Sequence, residues 1–128
     1  MPSRPYKDSV IYGCFVLNRL VAELDIDLHQ EGLEAKIDGI LAARPASISK
    51  EEVKREIRSN HVMTNKVIDA LVKDSLVVVQ LEEGRYRVSI TKAGVLHIRK
   101  YNEFYRRIYQ EQIRDHYRFR PPPYWLRE

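Results

Sequence analysis

The stretch that most constrains the fold of this chain is residues 76–90, LVVVQLEEGRYRVSI, whose pattern predicts a β-hairpin. A first apolar run ends at two acids and a glycine, and the returning run alternates polar and apolar residues. That alternation puts Arg85 and Arg87 on one face of the returning strand and Tyr86 on the other. Gly84 can adopt the positive φ that a tight hairpin turn requires. Because the rest of the chain has helical spacing, the hairpin is expected to be a small addition to a mainly helical fold.

Capping signals and helical spacing divide the rest of the sequence into elements. Ser49 followed by Glu52 is a capping box, in which each residue satisfies a backbone amide of the other. Asn60 and Thr91 have the short polar side chains that cap the next two helices. The predicted elements are an N-terminal helix at 8–24, a helix at 31–43, a helix that starts after Ser49, a helix at about 61–74, the hairpin at 76–90, a long C-terminal helix at 92–117 and an extended Pro-rich tail at 118–128.

Charge is unevenly distributed along the chain, which has a net charge of +4 at pH 7. Residues 1–60 contain 9 Lys and Arg against 10 Asp and Glu, whereas residues 61–128 contain 13 against 8. A basic half of this kind suits a polyanion such as nucleic acid. An Arg-rich helical surface that only keeps the protein in solution explains the same charge equally well.

Cysteine content and hydropathy restrict where the chain is expected to work. Its single cysteine, Cys14, excludes an intrachain disulfide and suits a reducing compartment. The apolar run VIYGCFVL has eight residues, too few to cross a bilayer. Cytoplasmic localisation without membrane association is therefore expected.

Residues 33–91 resemble the winged helix-turn-helix domain of transcriptional regulators. ISKEEVKREI resembles the helix before the turn, and NHVMTNKVIDALVKDSLV resembles the recognition helix running into the first wing strand. RYRVSITKAG resembles the second wing strand and the Thr-x-x-Gly start of the next helix, with Gly94 at the matching position. The family usually has glycine where this chain has Ser75, so a non-glycine residue must turn the chain there. The resemblance implies a mainly α fold with a small β-hairpin wing, having its core at 31–91 within a single domain at 1–128.

A flanking helix on each side extends the resemblance toward dimeric members of the class, the MarR-like and PadR-like regulators. In those proteins the terminal helices of two chains pack together. Both terminal helices predicted here carry an apolar stripe with alternating spacings of three and four, although packing inside the chain's own core would use the same stripes. A homodimer is expected, with these interface residues: Val10, Cys14, Leu17, Val21, Ile98, Tyr101, Tyr105 and Ile108. A small-molecule effector between the terminal helices is conceivable, although no residue requires one.

The resemblance also implies a partner, double-stranded DNA. The helix at about 61–74 would lie in the major groove, with the wing at 76–90 beside it. Independently of the family, a helix in the major groove reads base edges with its N-terminal residues while its other face packs inward. The candidate contacts to bases and phosphates are His61, Met63, Asn65, Lys66 and Lys73 on the helix, and Arg85 and Arg87 on the hairpin.

These contacts have a plainer alternative. The helix residues would be solvated polar side chains, and Arg85 and Arg87 would pair with Glu82 and Glu83 across the turn. The two acids would also repel phosphate, so the tip of the hairpin is expected to stay out of the groove. Together with Asp69 and the modest net charge, they favour a second hypothesis, a winged-helix protein-interaction or assembly module without DNA affinity.

Enzymatic function is not expected from this sequence. The four histidines are far apart and lack the spacing of a metal site. Asp25, Asp27 and His29 would fall on one side of an extended segment, but a solvated loop is the simpler interpretation. Cys14 on an apolar helix face is typical of a small core residue, and the sequence has no glycine-rich phosphate loop. Neither a metal nor a cofactor is predicted.

Overall fold

A computed structural model describes residues 5–119 of the chain, with the side chains of residues 10–119. This part is mainly helical and contains one small three-stranded antiparallel sheet. Within this range every helix is too short or too polar to cross a bilayer. The predicted Pro-rich tail lies outside the described residues from residue 120 onward. The elements in chain order are α1 (Pro5–Leu24), α2 (Leu33–Ala43), β1 (Ser47–Ser49), α3 (Lys50–Ile57), α4 (His61–Lys73), β2 (Val77–Glu82), β3 (Arg85–Ile90), α5 (Lys92–Ile108) and α6 (Gln110–His116).

Side-chain caps begin α3, α4 and α5, as the sequence predicts. The Glu52 amide donates to the Ser49 hydroxyl at 3.1 Å, and the Ser49 amide donates to the Glu52 carboxylate at 3.0 Å, which completes the capping box. The Asn60 side chain accepts from an amide in the first turn of α4 at 2.8 Å. The Thr91 hydroxyl accepts from the Gly94 amide at 3.0 Å. Each cap satisfies amide groups that have no partner inside their helix.

The hairpin formed by β2 and β3 is confirmed. Its turn consists of Glu83 and Gly84, which have φ of 51° and 77°. Positive φ at both central residues matches a tight turn to the twist of two antiparallel strands. The predicted alternation also holds, because Val88 and Ile90 are buried and Arg85 is exposed.

The third strand, β1, was not predicted from the sequence. It pairs antiparallel with β3, with Ser47 opposite Ser89 and Ser49 opposite Arg87, so β3 is the central strand. Three residues carry too little alternation for a pattern to reveal them. The pairing forms because the chain between α2 and α3 passes along the open edge of β3.

The connection from α4 to α5 depends on two residues that the family resemblance singles out. Ser75 adopts a φ of 60°, so a non-glycine residue does turn the chain after α4. Gly94 lies against the backbone of Leu76, and a Cβ on Gly94 would be 2.3 Å from the Leu76 carbonyl oxygen. Any larger side chain at this position would push α5 away from the start of the hairpin.

Helix α1 lies at the centre of the core. It contacts α3, α4, α5 and the sheet, so apolar residues on several of its sides are buried. Its buried apolar residues are Ile11, Cys14, Phe15, Val16, Leu17, Leu20, Val21 and Leu24.

A buried amide pair fixes α1 against α5. Asn18, which is 2% exposed, donates to Asn102 Oδ1 at 2.9 Å and accepts from Asn102 Nδ2 at 3.0 Å. A buried amide without a partner costs about 1–3 kcal/mol, so the pair favours the one register that brings both side chains together.

The structure corrects the bounds of three predicted helices. Helix α2 begins at Leu33 rather than at residue 31. The single helix predicted at 92–117 is divided, because α5 ends at Ile108 and α6 begins at Gln110. A straight helix of that length would be about 39 Å long and would carry Ile113 and Tyr117 away from the core, in which both are buried. Helix α1 begins at Pro5 rather than at residue 8, and proline suits the first turn of a helix because its missing amide is not needed there.

Candidate nucleic-acid interface

Helix α4 has one face in the core and one in solvent. Its buried face, which packs toward α1, consists of Thr64, Val67, Ile68 and Leu71. Of the predicted contact residues on α4, the exposed ones are His61, Lys66 and Lys73, and the partly buried ones are Met63 and Asn65. Met63 packs against the core, and Asn65 Nδ2 lies 3.3 Å from His61 Nε2. His61 and Lys66 are therefore accessible in the first half of the helix, and Lys73 is accessible at its end.

Val62 is a further exposed residue of α4 that the sequence interpretation missed. It is 75% exposed in the first turn of the helix. Val62, Lys66, Asp69 and Lys73 have spacings of four, three and four, so they follow one exposed stripe along α4. The helical spacing could have identified Val62, but its apolar side chain suggested burial.

An acid lies between α4 and the hairpin. Burial, followed by the negative charge of Asp69, raises the pKa of the Tyr86 phenol on β3. Asp69 is exposed on α4, and the Lys50 ammonium lies 5.1 Å from the centre of the Tyr86 ring. The Tyr86 ring therefore has charges of both signs around it.

The two arginines of the hairpin have different surroundings. Arg87 donates through one nitrogen to the Ser47 carbonyl at 3.0 Å and to the Ser47 hydroxyl at 3.1 Å. Another of its nitrogens lies 4.0 Å from the Glu52 carboxylate. Arg85 is exposed, and none of the ion pairs among residues 10–119 joins it to Glu82 or to Glu83. Arg87 is thus part of the sheet and of its contact with α3, whereas Arg85 projects into solvent.

Glu52 joins Arg87 to a larger group of charges. Arg19 on α1 lies 3.0 Å from the Glu52 carboxylate and 3.8 Å from that of Glu56, and it also pairs with Glu23. The hydrogen bond from the Ser49 amide lowers the pKa of the Glu52 carboxyl, and both guanidinium groups add to this effect. These cations are neutralised by acids of the same chain.

A different group of cations surrounds an open cleft at the end of α3. The α3-end cleft is lined by Glu51, Lys54, Arg55, Arg58 and Ser59 and has a volume of about 370 Å³. Within the described part of the chain, no ion pair involves Lys54, Arg55 or Arg58. Arg58 donates to the His116 carbonyl at 3.1 Å, and its φ of 53° turns the chain toward α4. The sequence interpretation missed this cluster because the charge of residues 1–60 is balanced overall.

The predicted dimerisation residues divide between core and surface. Those buried in the chain's own core are Cys14, Leu17, Val21 and Ile98, so they present no surface to a second chain. Tyr105 is also buried and lies 2.9 Å from His97 Nε2 through its hydroxyl. The exposed ones are Val10, Tyr101 and Ile108. Phe104, which is 52% exposed and was not predicted, lies between the last two on α5.

A cavity of about 130 Å³ lies between α1, α4 and α5. Its lining is largely apolar and includes Cys14, Asp74, His97 and Tyr105. Burial lowers the pKa of His97, partly offset by Asp74, and it raises the pKa of Tyr105 to about 12. Burial also raises the pKa of the Cys14 thiol. The cavity therefore favours uncharged groups, and its thiol is held in the unreactive protonated form.

The acidic loop after α1 makes local hydrogen bonds. The Asp27 carboxylate accepts from the His29 amide at 2.9 Å. Across residues 10–119, no three His, Cys, Asp or Glu side chains come together in a group that could hold a metal ion.

Comparison of the chain with protein-family models, with curated proteins and with solved structures finds no match. The arrangement of the side chains themselves is therefore the basis for assigning a function.

Proposed function

We propose that the chain folds as a winged helix-turn-helix domain and binds duplex DNA, with α4 as the recognition helix and the β2–β3 hairpin as the wing. The observation that carries the proposal is the position of α4. Its apolar face is buried, whereas His61 and Lys66 are exposed at its N-terminal half without a carboxylate partner among the described residues. This orientation suits a helix that reads base edges in the major groove.

The topology supports the same proposal. Helices α3 and α4 are separated by a short turn, and the hairpin follows α4 directly. Strand β1 completes a three-stranded sheet beside the two helices. Helix α4 contacts β2, so the hairpin lies next to α4. A duplex in contact with α4 would therefore also meet the hairpin.

Homodimerisation is part of the proposal, because a dimer presents two recognition helices to successive major grooves. The surface that supports it is the α5 stripe, defined as Tyr101, Phe104 and Ile108. These residues are 37%, 52% and 56% exposed and are spaced three and four apart, so they form one uncovered apolar face. We assign the second copy to this face rather than to α1.

The proposal is tested by comparing Lys66→Glu with Lys36→Glu in binding to duplex DNA. Both lysines are exposed, and Lys36 lies on α2, which packs against α5. Reversing the charge at Lys66 is expected to weaken binding about tenfold or more at 0.1 M salt, whereas Lys36→Glu leaves it near the wild-type value. Fluorescence anisotropy measures the affinity, and circular dichroism checks that both variants fold. Equal affinities for the two variants would refute the role of α4.

A second candidate function is a protein-interaction module. Strand β2 is an edge strand, and it exposes Leu81 and Val78, which are 75% and 44% exposed. An edge strand with exposed apolar residues suits the addition of a strand from another protein. Salt dependence separates the two functions, since DNA binding weakens steeply as salt rises through the loss of counterion release. Absence of any salt-dependent binding to duplex DNA would favour the interaction module.

A further inference from the structure

We propose that Lys54, Arg55 and Arg58 of the α3-end cleft make the main contacts with the DNA backbone, in place of Arg87 on the wing. This inference rests on the proposed binding of DNA by α4. It assigns the backbone contact to residues outside the set that the sequence predicts.

The cations most available to a phosphate are those without a carboxylate partner. Several arginines already have carboxylate partners, and they are Arg19, Arg87, Arg106, Arg107 and Arg118. A phosphate that approached one of these would compete with an acid of the same chain. Lys54 and Arg55 form no such ion pair among the described residues.

The cleft is formed by the last turn of α3 and by the two residues that lead into Asn60, the cap of α4. A duplex that contacts the first turn of α4 must therefore pass close to the cleft. Lys54, Arg55 and Arg58 line it against a single acid, Glu51, so cations predominate on its walls.

The cleft is open and has a volume of about 370 Å³, which leaves room for phosphate groups of a nucleic-acid strand. Arg58 is held by its hydrogen bond to the His116 carbonyl, so one of the three cations is already oriented by α6. A guanidinium that is fixed before binding loses less conformational freedom when it contacts a phosphate.

The wing, by comparison, is poorly suited to contact the DNA backbone. Arg87 would have to give up its bonds to Ser47 and its proximity to Glu52 before it could reach a phosphate. Glu82 and Glu83 are exposed at the tip and would repel one. Arg85 is the accessible cation of the hairpin, against three in the cleft.

The test compares three variants in binding to a random-sequence duplex over a range of salt concentrations. Lys54→Ala with Arg55→Ala removes two cations of the cleft and leaves Arg58 in place. Lys36→Ala with Arg44→Ala removes an exposed lysine and an exposed arginine at α2 and is the matched control. Arg85→Ala removes the exposed cation of the wing.

The slope of log affinity against log salt is expected to fall by roughly 2 for the cleft variant, since each phosphate contact contributes about 0.9 to the slope. The control is expected to keep the wild-type slope. Arg85→Ala is expected to reduce the slope less than the cleft variant does. Melting curves followed by circular dichroism confirm that the variants fold.

Three results would overturn the inference. If the cleft variant keeps the slope of the α2 control while Lys66→Glu still weakens binding, the cleft does not hold DNA although α4 does. If the wild-type chain has no salt-dependent affinity for duplex DNA, the inference and the proposed function both fail. If Arg85→Ala reduces the salt slope more than the cleft variant does, the main backbone contact lies on the wing.

Discussion

The apolar stripes of α1 and α5 have the same helical spacing and different surroundings. On α1, Cys14, Leu17 and Val21 are buried in the core, and only the first residue of the stripe, Val10, is substantially exposed. On α5, Ile98 is buried, but the stripe reaches the surface at Tyr101 and is more than half exposed at Ile108. Identical spacing therefore identifies an apolar face without identifying what covers it.

The neighbours of each helix explain the difference. Helix α1 is surrounded by α3, α4, α5 and the sheet, whereas the contacts of α5 are mainly with α1, α2 and α6. The Asn18–Asn102 pair fixes the point at which the two helices meet. Beyond it α5 continues toward Ile108, and both Phe104 and Ile108 are more than half exposed.

The largest expected effect is on Ile98, which is fully buried. Ile98→Ala is expected to lower the free energy of unfolding by about 2–5 kcal/mol, because it removes buried methyl groups and leaves a cavity. Ile108→Ala, the same substitution ten residues later on the same helix, is expected to change it by less than about 0.5 kcal/mol in the monomer. Urea denaturation of dilute protein measures both. Similar losses for the two variants would show that the two ends of the stripe do not differ in burial.

A smaller effect is expected from His97, on the buried side of α5. Burial lowers its pKa in the folded state, so the unfolded chain takes up a proton first as the pH falls through about 6.5. The contribution of neutral His97 to the free energy of unfolding is therefore complete above that pH and is lost as the pH falls below it. Unfolding free energy is expected to decrease between about pH 7 and pH 5, and His97→Gln is expected to reduce this dependence.

The control for His97 is His29→Gln, which changes an exposed histidine in the loop after α1. Its dependence on pH should follow that of the wild-type chain. If the unfolding free energy of His97→Gln has the same pH dependence as that of the wild type, burial at His97 does not oppose protonation.

The smallest expected effect on folding comes from Phe104→Ser combined with Ile108→Ser. Monomer stability is expected to change by less than about 1 kcal/mol, since both side chains are more than half exposed. Self-association is expected to be lost, because the α5 stripe would no longer bury apolar surface against a second copy. Urea denaturation measures the stability, and sedimentation equilibrium measures the self-association of the wild-type chain and of the variant. If the wild-type chain remains monomeric at high concentration, the α5 stripe is not a dimer interface.

The sequence predicted those features of the fold that depend on neighbouring residues. The capping side chains at Ser49, Asn60 and Thr91 act within one helical turn, and the turn at Glu83 and Gly84 joins adjacent strands. Strand β1 and the break before α6 were missed, because they depend on contacts with residues far away in the sequence.

The candidate interface was predictable to a similar extent. The exposed positions of α4 follow from its helical period, and Lys66 and Lys73 are where that period puts them. The arrangement of cations was not predictable, because Arg87 acquires its partners from β1 and α3. In the α3-end cleft, Arg58 likewise acquires its partner, the His116 carbonyl, from α6.

By itself, the sequence determined where most of the helices lie, their caps, the hairpin and the side of each element that is apolar. All of these are set by backbone geometry and by side chains a few residues apart. The tertiary structure alone decided which apolar stripe is covered and which cations remain without an acid. Burial and charge neutralisation depend on the neighbours that folding brings together, and in this chain those neighbours leave uncovered the end of α5 and the cleft beside α4.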